Sequence, residues 1–159
     1  MLLIGPSGAG KSTFAETHFK PTEIVSSDDM RAMLSDDAGD QSASSEAFAI
    51  VAMLVKGRLR RRLVTVVDAT NLHAPARLGY RRAASRYGIP TIAIAFDLPV
   101  SVYHERNATR PDRIVGELVV EDQARRMAHE LARLKDEDYA AVYVIGEVDL
   151  ASNVTVERA

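Results

Sequence analysis

The sequence predicts an α/β domain built on a doubly wound parallel sheet with helices on both faces. Short apolar runs rich in β-branched residues recur at 2–4, 24–25, 64–67, 91–96 and 142–145. They are continuous rather than alternating, as in strands buried on both faces. Stretches of helical spacing separate them, and that alternation is the pattern of a parallel sheet. The first run leads directly into Gly5-Pro6-Ser7-Gly8-Ala9-Gly10-Lys11-Ser12-Thr13, a glycine-rich turn that opens a helix.

Taken in order, Leu2-Leu3-Ile4 forms the first strand and residues 12–19 the first helix. Ile24-Val25 is the second strand, after which Ser26-Ser27-Asp28 opens a helix that Ser27 or Asp28 can cap. The polar stretch 35–45 reads as a loop. Phe48, Val51, Ala52, Val55 and Leu59 share one helical face. Val64–Val67 is a strand ended by Asp68, with Ala69-Thr70-Asn71 as a turn. Thr91–Phe96 is followed by a helix starting near Pro99, then by a connection at 107–116. Val120, Ala124, Met127, Leu131 and Leu134 repeat at a 4-3-4-3 spacing, and Val142–Ile145 is the last strand. The final residues, 151–159, show no strong pattern.

The 159 residues fit a single domain, with 47% hydrophobic and 26% charged residues. Cysteine is absent, which excludes disulfides and thiol chemistry and suits a cytoplasmic location. No apolar run is long enough to span a membrane. A net charge of −2 provides no general basic field for nucleic acid. The arginines at 58, 60, 61 and 62 and at 77, 81, 82 and 86 read as solvated helix faces rather than a binding patch. His18, His73, His104 and His129 have no metal-ligand spacing. Phe14, Phe48 and Phe96 read as core, and Tyr80 and Tyr87 as helix surface.

The turn matches G-x-x-x-x-G-K-[ST] through Gly5, Gly10, Lys11 and Ser12. Its glycines let successive N–H groups turn inward as an anion nest, across Ser7, Gly8, Ala9 and Thr13 as well. The following helix adds its positive dipole end. Lys11 can reach β- and γ-phosphate oxygens, and Ser12 offers a hydroxyl to Mg²⁺. The motif therefore points to ATP, or another nucleoside triphosphate, with Mg²⁺. Asp68, at the end of a buried strand, either helps hold that metal or caps the next turn.

Two further segments bear on whether the phosphate is transferred. In an open α/β sheet the C-terminal strand ends border the ligand crevice. Asp28 then lies near the γ-phosphate, where a carboxylate can accept the proton of an attacking hydroxyl. Arg31, one helical turn on, can clamp an acceptor phosphate. The alternative for this pair is a helix cap and a solvated cation. Arg106, Arg110 and Arg113 flank Pro111, and such a segment can close as a lid, here at about 107–118, over the donor. The alternative is ordinary charge at a helix C-terminus.

These stretches together resemble the 5′-OH polynucleotide kinase module of bacterial end-healing and sealing proteins, within the P-loop phosphotransferase superfamily. The resemblance rests on 5–15, on Ser26-Ser27-Asp28 with Arg31, and on Ser35-Asp36-Asp37 followed by Asp40-Gln41-Ser42-Ala43. It continues in Thr65-Val66-Val67-Asp68-Ala69-Thr70-Asn71 and in Phe96-Asp97-Leu98-Pro99 leading to Glu105-Arg106-Asn107. It implies a P-loop kinase-type sheet with an arginine-bearing lid, and ATP-dependent phosphorylation of a 5′-hydroxyl on RNA or DNA during repair. It implies Asp28 as general base, Arg31 at the scissile or acceptor phosphate, Lys11 and Ser12 at the donor phosphates and magnesium, and Arg106, with Arg110 and Arg113, on the donor from the lid. Gln41 is expected near the acceptor strand. Phosphatase and ligase modules usually accompany this kinase in the family, so a separate kinase or a domain taken from a longer chain is expected, the start directly at the first strand favouring the latter. A small-molecule kinase and a non-catalytic, nucleotide-gated module are the alternatives.

Overall fold

In the computed structural model, which describes residues 1–109, 115–146 and 156, five parallel strands form one sheet. They are β1 (Leu2–Ile4), β2 (Ile24–Ser26), β3 (Val66–Asp68), β4 (Ile92–Phe96) and β5 (Ala141–Ile145), in the order β2-β3-β1-β4-β5. The helices are α1 (Lys11–His18), α2 (Ser27–Ser35), α3 (Ala43-capped, Ser44–Arg60), α4 (Ala74–Ser85), α5 (Val100–Ala108) and α6 (Glu117–Leu134). The chain leaves β1 toward β2 on one side and later takes up β4 on the other. β1 is thus the point where strand order reverses, and the crevice at its C-terminal end is the expected ligand site of such a sheet.

Alternation along β1 shows why the sheet is covered twice. Leu2 and Ile4 join Val25, Val67 and Ala93 against α3 and α4. Leu3 joins Val66, Ile94 and Phe96 against Phe14 of α1, Tyr103 of α5 and Val120 of α6. Each fully buried side chain of this size contributes about 1.5–3 kcal/mol. In register, Leu3 faces both Asp68 of β3 and Ile94 of β4, and Ser26 of β2 also faces Asp68. Ser26, Asp68 and the start of the glycine turn therefore share one rim.

Several expectations change in detail. The inner face of α3 is Ala47, Val51, Val55 and Leu59, while Phe48 is 42% exposed and Ala52 is exposed. A 4-4-4 stripe drifts slowly around a helix, so Ala47, one position before Phe48, takes the core side. Leu63 and Val64 are exposed, and the third strand starts only at Val66. Among the described strands β5 lies at the edge of the sheet, with Tyr143 and Val144 exposed rather than buried on both faces. The polar stretch 35–45 is shared between the end of α2, a 3₁₀ turn (Gln41–Ala43) and the start of α3. Tyr80 and Tyr87 are half-buried against the core. Neither Ser27 nor Asp28 caps α2: the Ser26 hydroxyl accepts the Asp29 N–H at 3.2 Å.

Arg77 is the largest departure, since it is fully buried rather than solvated. Its Nε donates to both Glu137 carboxylate oxygens (3.0 and 3.1 Å), its Nη1 donates to the Asn71 carbonyl at 2.9 Å, and its Nη2 pairs with Glu130 and Glu137. One guanidinium thus joins α4, α6 and the turn after β3. Burial alone would raise the Glu130 carboxyl, but the hydrogen bond and charge of Arg77 more than offset it and hold it below the ordinary 4.5. Glu130 therefore stabilises the fold above that value, and its contribution is lost as pH falls through the lowered one. Arg77→Met, which leaves two carboxylates without this partner, should cost about 3–5 kcal/mol at neutral pH by urea unfolding. The gap to the wild type should narrow when the titration is repeated below pH 4.5; a gap independent of pH would assign the cost to packing alone.

Candidate active site

The glycine turn runs from the end of β1 into α1, and neighbouring segments hold it on three sides. The Gly5 N–H donates to the Thr70 carbonyl at 3.0 Å. The buried Asn71 side chain donates to the Leu3 carbonyl at 2.7 Å, tying the turn after β3 to the exit of β1. Asn71 has φ +50, a conformation asparagine tolerates better than most residues. Gly8 (φ +82) and Gly10 (φ +89) lie in the left-handed region and turn peptide N–H groups to one side. A Cβ on Gly8 would lie 2.4 Å from the Tyr103 carbonyl oxygen, so the turn seats directly on the backbone of α5. Tyr103 itself is fixed, its hydroxyl donating to the Phe96 carbonyl (3.1 Å) and accepting from the Leu98 N–H (2.7 Å).

Three long side chains reach this loop. Lys11, largely buried, donates from Nζ to the Pro6 carbonyl at 2.7 Å, spanning the loop where phosphate oxygens would sit. Arg106, in the last turn of α5, donates to the Ala9 carbonyl at 3.4 Å, and its Nη1 lies 3.0 Å from where a Gly10 Cβ would be. The Ser7 N–H donates to Oε1 of Gln123, from α6, at 2.7 Å.

Beside the loop opens a cavity of about 430 Å³ lined by Ser12 and Glu16 of α1, Asp28 and Asp29 of α2, and Asp68 of β3, with Phe19, Pro21, Ile24 and Ser26 completing its wall. Four carboxylates around one opening repel one another. Asp29, at the rim, registers this: partial desolvation raises its carboxyl above the ordinary range, and Asp68, Asp28 and Glu16 raise it further. Asp28 pairs with Arg31, whose Nε also donates to the Ala38 carbonyl at 2.9 Å. Arg31 thereby braces the loop after α2 against the carboxylate.

Of the expected residues, Ser12, Asp28 and Asp68 line this cavity; Lys11 and Arg106 lie on the glycine turn beside it, and Arg31 meets the cavity's Asp28. Asp68 is buried at the end of β3. Gln41 differs: it is exposed on its 3₁₀ turn, donates to Gly39 O at 3.1 Å and accepts from Ser44 Oγ at 3.3 Å, and does not line the cavity. Arg110 and Arg113 lie outside the described residues. The lid expected at about 107–118 likewise includes residues outside the described set; on its two sides Asn107 donates to Val115 O (2.6 Å) and accepts from Val115 N–H (3.0 Å). The motifs did not reveal Glu16, Asp29 or Gln123. Glu16 could have been found, since it follows Ser12 by one helical turn; Gln123 had no local signal, because its partner is 116 positions away.

Gly8→Ala should lower stability by about 1–3 kcal/mol or more through the left-handed φ and the collision with a main-chain oxygen, read as a loss of roughly 2–4 °C in Tm per kcal/mol. The same variant should lose binding of a nucleoside triphosphate in titration calorimetry. Unchanged binding would mean that the loop tolerates a displaced α5.

No curated relative matches the chain, but several solved structures do. A chain of the Pnkp1/Rnl/Hen1 RNA repair complex is 24% identical with a TM-score of 0.67, the match covering 87% of this chain and 46% of that one. This chain thus spans about half the length of that relative. A gluconokinase from Sinorhizobium meliloti 1021 is 17% identical with a TM-score of 0.57, covering 96% and 85% of the two chains. A deoxyadenosine kinase from M. mycoides, solved with bound dCTP, is 14% identical with a TM-score of 0.51, covering 96% and 95%. The parallel sheet flanked by helices is thus the fold of P-loop kinases. The profile of the AAA domain family matches residues 1–134, and the chain belongs to that family.

Proposed function

We propose that the chain transfers the γ-phosphate of ATP to the 5′-hydroxyl end of an RNA or DNA strand. The observation that carries the reading is the position of Asp28 across one cavity from Ser12, at the mouth of a phosphate loop reached by Lys11 and Arg106. The sequence stretches shared with 5′-OH polynucleotide kinases support the acceptor, as does the likeness to a chain of an RNA repair complex.

In this reading the loop amides and Lys11 hold the donor phosphates. Asp28 accepts the proton of the terminal hydroxyl as its oxygen forms a bond to the γ-phosphorus. The bond from that phosphorus to the bridging oxygen breaks, and ADP leaves with the electron pair. Arg31 orients Asp28 and, on exchanging partners, meets the acceptor phosphate, while Arg106 offsets charge that develops on the transferred group. Arg110 and Arg113 are proposed to assist it there.

The donors in the cavity suit Mg²⁺. Ser12 and Asp68 offer oxygen donors that would hold it, and among the described residues no group of three His, Asp or Glu closes a cage by itself. Mg²⁺ characteristically completes its shell with phosphate oxygens and water. When bound, it would neutralise charge between the donor phosphates, held by Ser12 and Asp68.

A small-molecule kinase is the second reading, supported by near full-length likeness to the gluconokinase and the deoxyadenosine kinase. Incubation with γ-labelled ATP and either 5′-OH oligonucleotides or a panel of sugars and nucleosides separates the two. Label on the oligonucleotide supports the proposal; label only on small hydroxyl compounds replaces it.

Asp28→Asn should lower kcat by roughly 10²–10⁴-fold, the range of general-base catalysis, with ATP affinity kept within a few fold. Equal loss of both would argue against the base role. Adding Mg²⁺ with ATP should raise the Tm of the wild type more than that of Asp68→Asn. Equal shifts would remove Asp68 from the metal's surroundings.

A further inference from the structure

We propose that Gln123 is a displaceable plug of the phosphate loop, occupying with its carboxamide oxygen the position where a donor phosphate oxygen accepts the Ser7 N–H. The inference rests on the donor half of the reading above and does not depend on the acceptor.

Gln123 sits on α6 three residues after Val120 and four before Met127, both fully buried, so the helix carries it on its inner face. From there Oε1 meets the Ser7 N–H at 2.7 Å. Ser7 is itself buried, so this donor has little access to water and requires a partner when no ligand is present. A neutral carboxamide satisfies it without adding charge to the nest. A phosphate oxygen makes a charge-assisted bond roughly twice as strong, so nucleotide replaces Gln123 rather than joining it.

The exchange would be felt beyond the loop. The entry to α6 is tied through Val115 to Asn107 of α5, and α5 also presents Tyr103 to Gly8 and Arg106 to Ala9. Releasing Gln123 therefore frees α6 from the loop while α5 stays seated on it. The plugged loop is the state that must open, so it lowers apparent nucleotide affinity by the fraction of molecules plugged.

Titration calorimetry with Mg·ATP on the full chain tests this. Gln123→Met keeps length and helix propensity but lacks the amide oxygen. It should bind ATP about two- to tenfold more tightly, the scale of one neutral hydrogen bond. Gln123→Glu keeps the acceptor and adds a charge that repels the triphosphate, and should bind roughly tenfold or more weakly. ATP binding by Gln123→Met that equals or falls below wild type overturns the plug, as does an unchanged Gln123→Glu. Thermal unfolding without ligand verifies that each variant is folded. A measurement on the wild type needs no variant: the Gln123 side-chain NH₂ resonances should shift on ATP addition, and their constancy overturns the proposal. A wild type that binds no ATP sinks the donor reading itself, whereas a binding wild type with unresponsive Gln123 variants sinks the plug alone.

Discussion

The contact between Gly8 and the carbonyl of Tyr103 fixes the geometry on which the rest of the site depends. A methyl group at Gly8 would lie 2.4 Å from that oxygen, so the loop can approach α5 only because residue 8 carries no side chain. Once seated, the loop has Arg106 over its Ala9 carbonyl and Lys11 spanning to Pro6. The other side is held by Thr70 and Asn71, which bind the start of the loop to the end of β3. The anion site is therefore a product of the sheet and α5 together, as well as of the glycine motif.

Electrostatics divide the crevice in two. On the side of the glycine turn lie Lys11 and Arg106, bonded to the Pro6 and Ala9 carbonyls, which favour negative charge. On the other lie Glu16, Asp28, Asp29 and Asp68, where burial first and the neighbouring carboxylates second raise the Asp29 carboxyl above its ordinary range. A polyanion bound with a divalent cation matches both sides, whereas either ion alone matches one.

Buried charge also braces the scaffold. Arg77 draws Glu130 of α6 and Glu137 onto the turn that carries Asn71, and Asn71 in turn holds the exit of β1. A chain of ion pair, carbonyl and amide thus links α6 to the base of the phosphate loop from below. Gln123 links the same helix to the loop from the side.

The strand runs and the glycine turn that opens α1 were legible in the sequence because each depends on neighbours a few positions away. Phosphate binding needs Gly8, Gly10, Lys11 and Ser12 in one continuous turn, and buried parallel strands need contiguous apolar residues. The same locality explains why Asp68, at the end of β3, and Asp28, in the first turn of α2 just after β2, could be marked as candidates. Tertiary structure decided whatever depended on residues far apart. It buried Arg77 where spacing suggested a solvated face, since Glu130 and Glu137 lie 53 and 60 positions away. It assigned the cap of α2 to Ser26, turned Phe48 outward and left Gln41 within its own turn. It also brought Gln123 onto Ser7, because a helix face is aimed by the packing of the whole domain and no local pattern records where it points.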